Sequence, residues 1–359
     1  DINIGKTPSR SKKQFWGQGY NWLAISDLKE KFITDTKEEI TKLAVNDCNM
    51  KLVSKNTVVM SFKLSIGKTA ILKKDMYTNE AIANFQIKDN NKIIPEYLYY
   101  AIKTLDFTNT DRAVMGATLN KSKLNEIVIP YCDLNKQIKI VDILDKAQNL
   151  IDLKMKQLEL LDELVKSRFV EMFGDILKND KNFNKVILKD IVDIGSSKRI
   201  YADEYIEKGI PFYRSKEIRE LGQNIKPSTE LFISYEKYKD IKDKYGVPKK
   251  GDILVAAIGA TIGHTWIVNT DTPFYYKDGN LLHISTNELV NSNYLNHILK
   301  ILISKFKLKG VTGTAQLALS IEKLGNMEVI FPDIELQNQF ADFVTQIDKL
   351  KFEMEKSLK

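Results

Sequence analysis

The chain says nearly the same thing twice, and this limits its fold more than any other property. Gly19-Tyr20-Asn21-Trp22, continuing to Ser26-Asp27-Leu28-Lys29-Glu30, reads against Gly209-Ile210-Pro211-Phe212, continuing to Lys216-Glu217-Ile218-Arg219-Glu220. Glycine falls on glycine, aromatic on aromatic and acid on acid. Further on, Ser65-Ile66-Gly67-Lys68-Thr69 meets Thr261-Ile262-Gly263-His264-Thr265, and Tyr97-Leu98 meets Tyr294-Leu295. Ile129-Pro130 followed by Gln137 meets Phe331-Pro332 followed by Gln339. The offset drifts only from 190 to 202 residues, so a whole domain is duplicated. The period is far too long for a solenoid of small stacked repeats.

Two kinds of segment alternate along the 359 residues, a length that accommodates two or three domains. The first kind covers 1–132 and 176–332. Apolar runs at 57–62, 252–258 and 281–284 predict strands, and 95–104 and 292–304 predict short helices, so these are mixed α/β domains. The second kind covers 133–175 and 333–359. Leu144, Ile151, Leu158, Val165 and Met172 recur every seven residues, with Ala147, Lys154, Leu161 and Arg168 between them. Phe340, Phe343, Ile347, Leu350 and Met354 repeat the spacing near the end. Such stripes predict long helices that pair as a coiled coil, with Gly174 closing the first. A second stripe, Leu150, Leu153, Leu160 and Leu164, exceeds what one partner helix covers and predicts contact with another protein. The expected fold is α+β, with two repeated mixed α/β domains separated by two long helices.

Charge is distributed unevenly. The net charge is +7, yet 133–175 and 333–359 are each net −2, which leaves +11 on the repeated domains. A basic surface attracts polyanions such as DNA through counterion release, and solvated faces of a lysine-rich chain would give the same balance. No apolar run approaches a membrane span and no basic-then-apolar leader opens the chain. The expected setting is therefore cytoplasmic, with no membrane partner. The start at Asp1 rather than Met predicts that the first copy lacks its lead-in. Cys48 and Cys132 make neither a disulfide framework nor a metal motif.

Catalytic signatures fail in turn. No two prolines adjoin, so the Asn/Asp-Pro-Pro-aromatic loop of adenine methyltransferases is missing. Gly67-Lys68-Thr69 resembles the end of a phosphate loop, but Phe62 stands where its first glycine belongs. His264, His283 and His297 all fall in the second copy, without partners in the first. The chain reads as non-catalytic, with no metal site.

DNA contacts require loops rich in Arg, Lys, Asn, Gln, Ser and Thr, whose side chains hydrogen-bond phosphates and base edges. Four loops recur. The first holds Ser9, Arg10, Lys12 and Lys13, against Ser196, Ser197, Lys198, Arg199 and Tyr201. The second holds Ser26, against Arg214, Ser215 and Lys216. The third, a glycine turn, holds Lys63, Ser65, Lys68 and Thr69, against Thr261 and His264. The fourth holds Arg112, Thr118, Asn120 and Lys121, against Thr312, Thr314 and Gln316. The copies differ most in these loops, as two readers of different sequences would.

The order of these elements resembles the specificity subunit of type I restriction-modification enzymes, over essentially the whole chain. The resemblance implies target-recognition domains at 1–132 and 176–332, each reading half of a split double-stranded DNA site. It implies that the helices 133–175 and 333–359 pair antiparallel in a pseudo-two-fold arrangement, set the half-site spacing and dock two methyltransferase subunits. Those subunits would bring S-adenosylmethionine and adenine-N6 methylation, and restriction/translocase subunits would bring ATP and Mg; this chain would carry no cofactor. Three departures stand out: the missing lead-in, a terminal helix of 27 residues against about 40, and Leu119-Asn120 where the second copy has Gln316. The alternatives are a stand-alone enzyme of unfamiliar type, a non-reading scaffold, and the specificity module of a fused methyltransferase-nuclease system.

Overall fold

The computed structural model describes residues 1–105, 112–113, 116–117, 119–309 and 317–358. They form two compact units, 1–152 and 153–359.

In the first unit a five-stranded sheet has the order Ile2–Ile4, Ile82–Phe85, Val58–Ser61, Thr69–Leu72, Phe32–Ile33. A three-stranded sheet centres on Trp16–Leu23, antiparallel to Glu38–Ile40 and parallel to Tyr77–Thr78. Residues alternate between the faces of a strand, and here both faces of the larger sheet are covered. Val58 and Met60 join Leu98 and Ile102 of the helix Pro95–Lys103, whereas Val59 joins Leu23, Ala70 and Leu72. That is why the Val58-Val59-Met60 run shows no alternation in sequence.

The second unit repeats the plan. Its four-stranded sheet has the order Asp193–Gly195, Leu281–Ser285, Ile253–Ala256, Thr265–Ile267. Ile210–Tyr213 lies parallel to Tyr275–Tyr276 and antiparallel to Phe232–Ile233. The helix Ser292–Lys309 covers the face that Pro95–Lys103 covers in the first unit. The repeated glycines have a steric cause. A Cβ on Gly19 would stand 2.5 Å from the Ile40 carbonyl oxygen, and one on Gly209 2.4 Å from that of Ile233.

The predicted long helix runs Leu134–Phe173, and the terminal helix Ile334–Lys356. Within the second unit the two run antiparallel. Arg168 lies over the Phe343 ring at 5.9 Å, Lys351 donates to Asp162 at 2.6 Å, and Lys154 donates to the Ser357 hydroxyl. Lys154 and Arg168, polar at seam positions, are thus the residues that reach across. Leu158, Leu161, Val165 and Met172 are half-buried. Phe340 and Ile347 are buried, Phe343 and Met354 half-buried, while Leu350 is 54% exposed. Leu144 and Ile151, in the first unit, are 37% and 42% exposed. The second stripe remains open: Leu150, Leu153, Leu160 and Leu164 are 46–62% exposed. Phe169, which lies off the heptad, is also buried and meets Phe340 edge-to-face at 5.3 Å.

One repeat correspondence moves. Gln137 is fully buried; its Oε1 accepts from the Ile94 N–H at 3.1 Å and its Nε2 donates to the Lys92 and Cys132 carbonyls, both at 2.7 Å. The residue that does this in the second copy is Gln337, which accepts from the Asn291 N–H and donates to the Pro332 carbonyl, both at 2.9 Å. Gln339 is exposed, two residues out of register.

Candidate nucleic-acid interface

Each recurring loop is held by its own local chemistry. In the first loop Arg10 donates both terminal nitrogens to Glu38, at 2.5 and 2.8 Å, and its guanidinium lies 3.7 Å over the Trp16 ring. The hydrogen bond with Glu38 raises the arginine pKa and lowers that of the acid. Ser9, Lys12 and Lys13 are exposed, with Lys12 over the Phe15 ring. In the second copy Arg199 donates to Asp278 at 2.7 Å, and the Lys198 N–H donates to the Tyr275 hydroxyl at 2.7 Å. The Ser196 hydroxyl donates to the Leu281 carbonyl, Ser197 is half-buried, and Tyr201 is 63% exposed.

In the second loop the repeated acid is a helix cap. Asp27 accepts from the Ala24 N–H at 3.0 Å, and Glu217 accepts from the Arg214 N–H at 2.9 Å. Ser26 and Lys216 remain exposed and Ser215 half-buried. Arg214 also donates its guanidinium to the fully buried Glu217 and to Glu230. All three arginines whose side chains are described in these loops are therefore already matched by carboxylates.

The glycine turns need their glycines. Gly67 has φ +91° and Gly263 +87°, in the left-handed region that side chains disfavour. The Gly67 N–H donates to the Ser61 carbonyl and that of Gly263 to the Ala256 carbonyl, both at 3.0 Å. Lys68 and Ser65 point to solvent, Lys63 lies over the Phe62 ring, and the Thr69 and Thr261 hydroxyls donate to local carbonyls. The third and fourth loops adjoin: Leu119 N–H donates to the Phe62 carbonyl, and Leu319 N–H to that of Ala257.

In the fourth loop Asn120 caps the helix Lys121–Asn125, its Oδ1 accepting from Lys123 N–H at 2.8 Å. Its counterpart is Ser320, which caps Ile321–Gly325 in the same way, and not Gln316. Lys121 is exposed. Arg112 starts a short strand paired with Gly116–Ala117. Its side chain, with Thr118, Thr312, Thr314 and Gln316, lies outside the described residues.

Sequence reasoning missed a positive cluster around His264. Burial lowers the pKa of this imidazole, and the charges of Arg219, Lys307 and Lys300 lower it further. These cations come from two helices, Ser215–Gly222 and Ser292–Lys309, and only Arg219 lies inside a repeated motif. Tyr213, Tyr275 and Tyr276 are buried in the core. Among the described residues no group of three His, Cys, Asp or Glu side chains is placed to hold a metal, and no helix is long and apolar enough to cross a membrane.

The profile of the type I restriction modification DNA specificity domain matches residues 1–163 and 180–359. The type I restriction enzyme MjaIX specificity subunit of Methanocaldococcus jannaschii is 27% identical over 369 residues, spanning 96% of this chain and 83% of the relative. A putative type I restriction enzyme specificity subunit of Haemophilus influenzae, S.HindORF215P, is 32% identical over 275 residues, spanning 75% of this chain and 67% of its own length. The fold is similar to that of the type I restriction-modification system S subunit from M. genitalium, with a TM-score of 0.55 at 16% identity, covering 100% of this chain and 89% of that one. With matching profiles over both halves, each containing its own sheet pair and long helix, the chain belongs to the type I restriction-modification DNA specificity family.

Proposed function

We propose that this chain is the sequence-reading, non-catalytic subunit of a type I restriction-modification complex. The match of the specificity-domain profile to both halves carries this reading. Domains 1–132 and 176–332 each take one half of a bipartite duplex site. The helical segments 133–175 and 333–359 fix the distance between the halves; the 40-residue helix Leu134–Phe173 is about 60 Å long at 1.5 Å per residue. Half-sites one turn of DNA apart lie about 34 Å centre to centre, within reach of such a ruler. The open stripe of Leu150, Leu153, Leu160 and Leu164 is the docking surface for two adenine-N6 methyltransferase subunits. S-adenosylmethionine belongs to those subunits, and ATP and Mg to restriction/translocase subunits.

The deciding experiment co-expresses the chain with its methyltransferase in a methylation-free host and maps modified adenines across the genome. Two short defined blocks around a fixed spacer are expected. A folded, assembled complex that leaves no such motif overturns the reading role. On a mapped site, substituting Lys198 or Arg112 is expected to cost about 1–3 kcal/mol if the residue reads a base, or to lower the salt slope by about one if it meets phosphate.

A further inference from the structure

The repeat carries three cations at matching positions in each unit. The offsets of 190, 196 and 197 residues that bring Leu28 onto Ile218, Gly67 onto Gly263 and Tyr97 onto Tyr294 also bring Lys29 onto Arg219, Lys68 onto His264 and Lys103 onto Lys300. The fold gathers each set. In both units the glycine turn leads into a strand, Thr69–Leu72 or Thr265–Ile267, that lies between the stretch bearing the first cation and the helix bearing the third. In the first unit the Ile71 N–H donates to the Lys31 carbonyl at 2.8 Å, and Ile71 packs with Leu98 and Ile102. Lys29, Lys68 and Lys103 line one cleft of about 780 Å³. In the second unit a Cβ on Gly222 would stand 2.1 Å from the Thr265 carbonyl oxygen, and one on Gly263 3.0 Å from Ile303 Cγ2. The charges of Arg219 and Lys300 therefore fall on His264, joined by Lys307 two turns further along the same helix.

Unlike Arg10, Arg199 and Arg214, these groups are not matched by acids. Among the described residues Lys29, Lys68, Arg219 and Lys307 make no side-chain hydrogen bond or ion pair, and Lys103 donates only to the Tyr99 hydroxyl, at 3.3 Å. Three acids line the first cleft, Glu30, Asp145 and Asp152, and Asp145 is engaged by Lys31 and Tyr100. In the second unit Asp348 and Asp162 act on Lys300. In each unit the cations stay in excess. Like charges gathered at a surface repel one another, and an anion among them relieves that repulsion.

The recurrence identifies the anion. Lys is answered by Arg, His and Lys, so positive charge is kept while residue identity is not. Contacts to base edges must differ between two readers of different sequences. Contacts to phosphate fix position and carry no sequence information, so they can recur. We propose that each set grips one backbone phosphate of the bound duplex, at equivalent places in the two half-sites. Lys29, Lys68 and Lys103 do so in the first unit, and Arg219, His264, Lys300 and Lys307 in the second. The assignment rests on the DNA-reading role proposed above and adds to it a pair of sequence-independent anchors.

The test measures binding of the assembled methyltransferase complex to a duplex holding the mapped site and to one of scrambled sequence, across a range of salt. The parent is compared with Lys29→Gln/Lys68→Gln/Lys103→Gln and with Arg219→Gln/Lys307→Gln. Lys307 is half-buried and the other four positions are exposed, and thermal unfolding confirms that each variant folds. Each variant is expected to lower the slope of log K against log salt by about 0.9. It should weaken both duplexes by the same factor and leave the preference for the mapped site intact. A neutral methylphosphonate at one position per half-site should make parent and variant bind alike. Unchanged slopes in both folded variants overturn the proposal, as does an altered preference, which would make these side chains base contacts. Loss of the methyltransferase from a variant whose slope is unchanged also overturns it, and assigns the cations to an acidic protein surface. A parent that prefers the mapped site while the variants keep its slope leaves the reading role standing without these anchors. A parent that binds both duplexes equally, with lowered slopes in the variants, keeps the anchors and removes the reading role.

Discussion

Replacing Gln337 by leucine tests what holds the terminal helix to the second recognition domain. The side chain is fully buried and ties together three elements: the start of Ser292–Lys309, through Asn291; the end of Glu328–Ile330, through Pro332; and its own helix. Leucine fills a similar volume but leaves the Asn291 N–H and the Pro332 carbonyl without partners. At about 1–3 kcal/mol for each stranded group, with part recovered by apolar burial, the expected loss is about 2–5 kcal/mol. For a unit of this size each kcal/mol lowers the Tm by about 2–4 °C, so a fall of about 4–20 °C is expected in thermal unfolding followed by circular dichroism. Gln339→Leu is the matched control, since this residue is exposed and its replacement should stay within about 0.5 kcal/mol of the parent. Equal melting of the two variants would refute the assignment of the repeated glutamine to Gln337. In the first unit Gln137 makes three such hydrogen bonds, and the same substitution there should cost at least as much.

Two further outcomes follow from the second unit. His297 is packed against Phe169 and Phe340, and burial, reinforced by the charges of Lys300 and Lys166, lowers its pKa to about 4. The unfolded chain, with a histidine pKa of about 6.5, binds this proton first as pH falls, so up to about 3 kcal/mol of stability present above pH 6.5 is lost by about pH 4. Denaturant unfolding at about pH 7.5 and pH 4.5 should show this slope and show it reduced in His297→Phe; an unchanged slope would exclude the histidine as its source. Arg214→Ala removes the guanidinium from a fully buried Glu217 and should cost about 3–5 kcal/mol, largely restored by adding Glu217→Gln. Loss of DNA binding at parental stability would instead make Arg214 a direct DNA contact.

The duplicated pattern was legible because its residues answer local demands. Gly19 and Gly209 admit a neighbouring strand, Gly67 and Gly263 take left-handed turns, and Asp27 and Glu217 cap backbone N–H groups a few residues away. The long helix was legible from its heptad, including the open second stripe. What escaped depends on distance along the chain. Arg10 meets Glu38 across 28 residues and Arg199 meets Asp278 across 79, so two arginines that read as freely basic are in fact paired with acids. Gln337 and Gln339 stand two apart in one helix, and only burial tells them apart. Phe169 lies off the heptad because its partners include Tyr294 and His297 as well as the terminal helix.

The attachment of the first domain to the long helix bears on how such a domain can be transplanted. Asp145, more than two turns into the helix, accepts hydrogen bonds from Lys31 and Tyr100. Burial would raise its pKa, but those bonds outweigh burial and hold it below the ordinary carboxylate range. Together with Gln137, this makes the opening turns of the helix part of the domain's own structure. A chimera joined at residue 132 would graft foreign turns onto Lys31, Ile94 and Tyr100 and leave them unmatched. A junction beyond Asp145 would carry the domain with its own footing, so recombination that exchanges specificities should succeed with crossovers inside the helix.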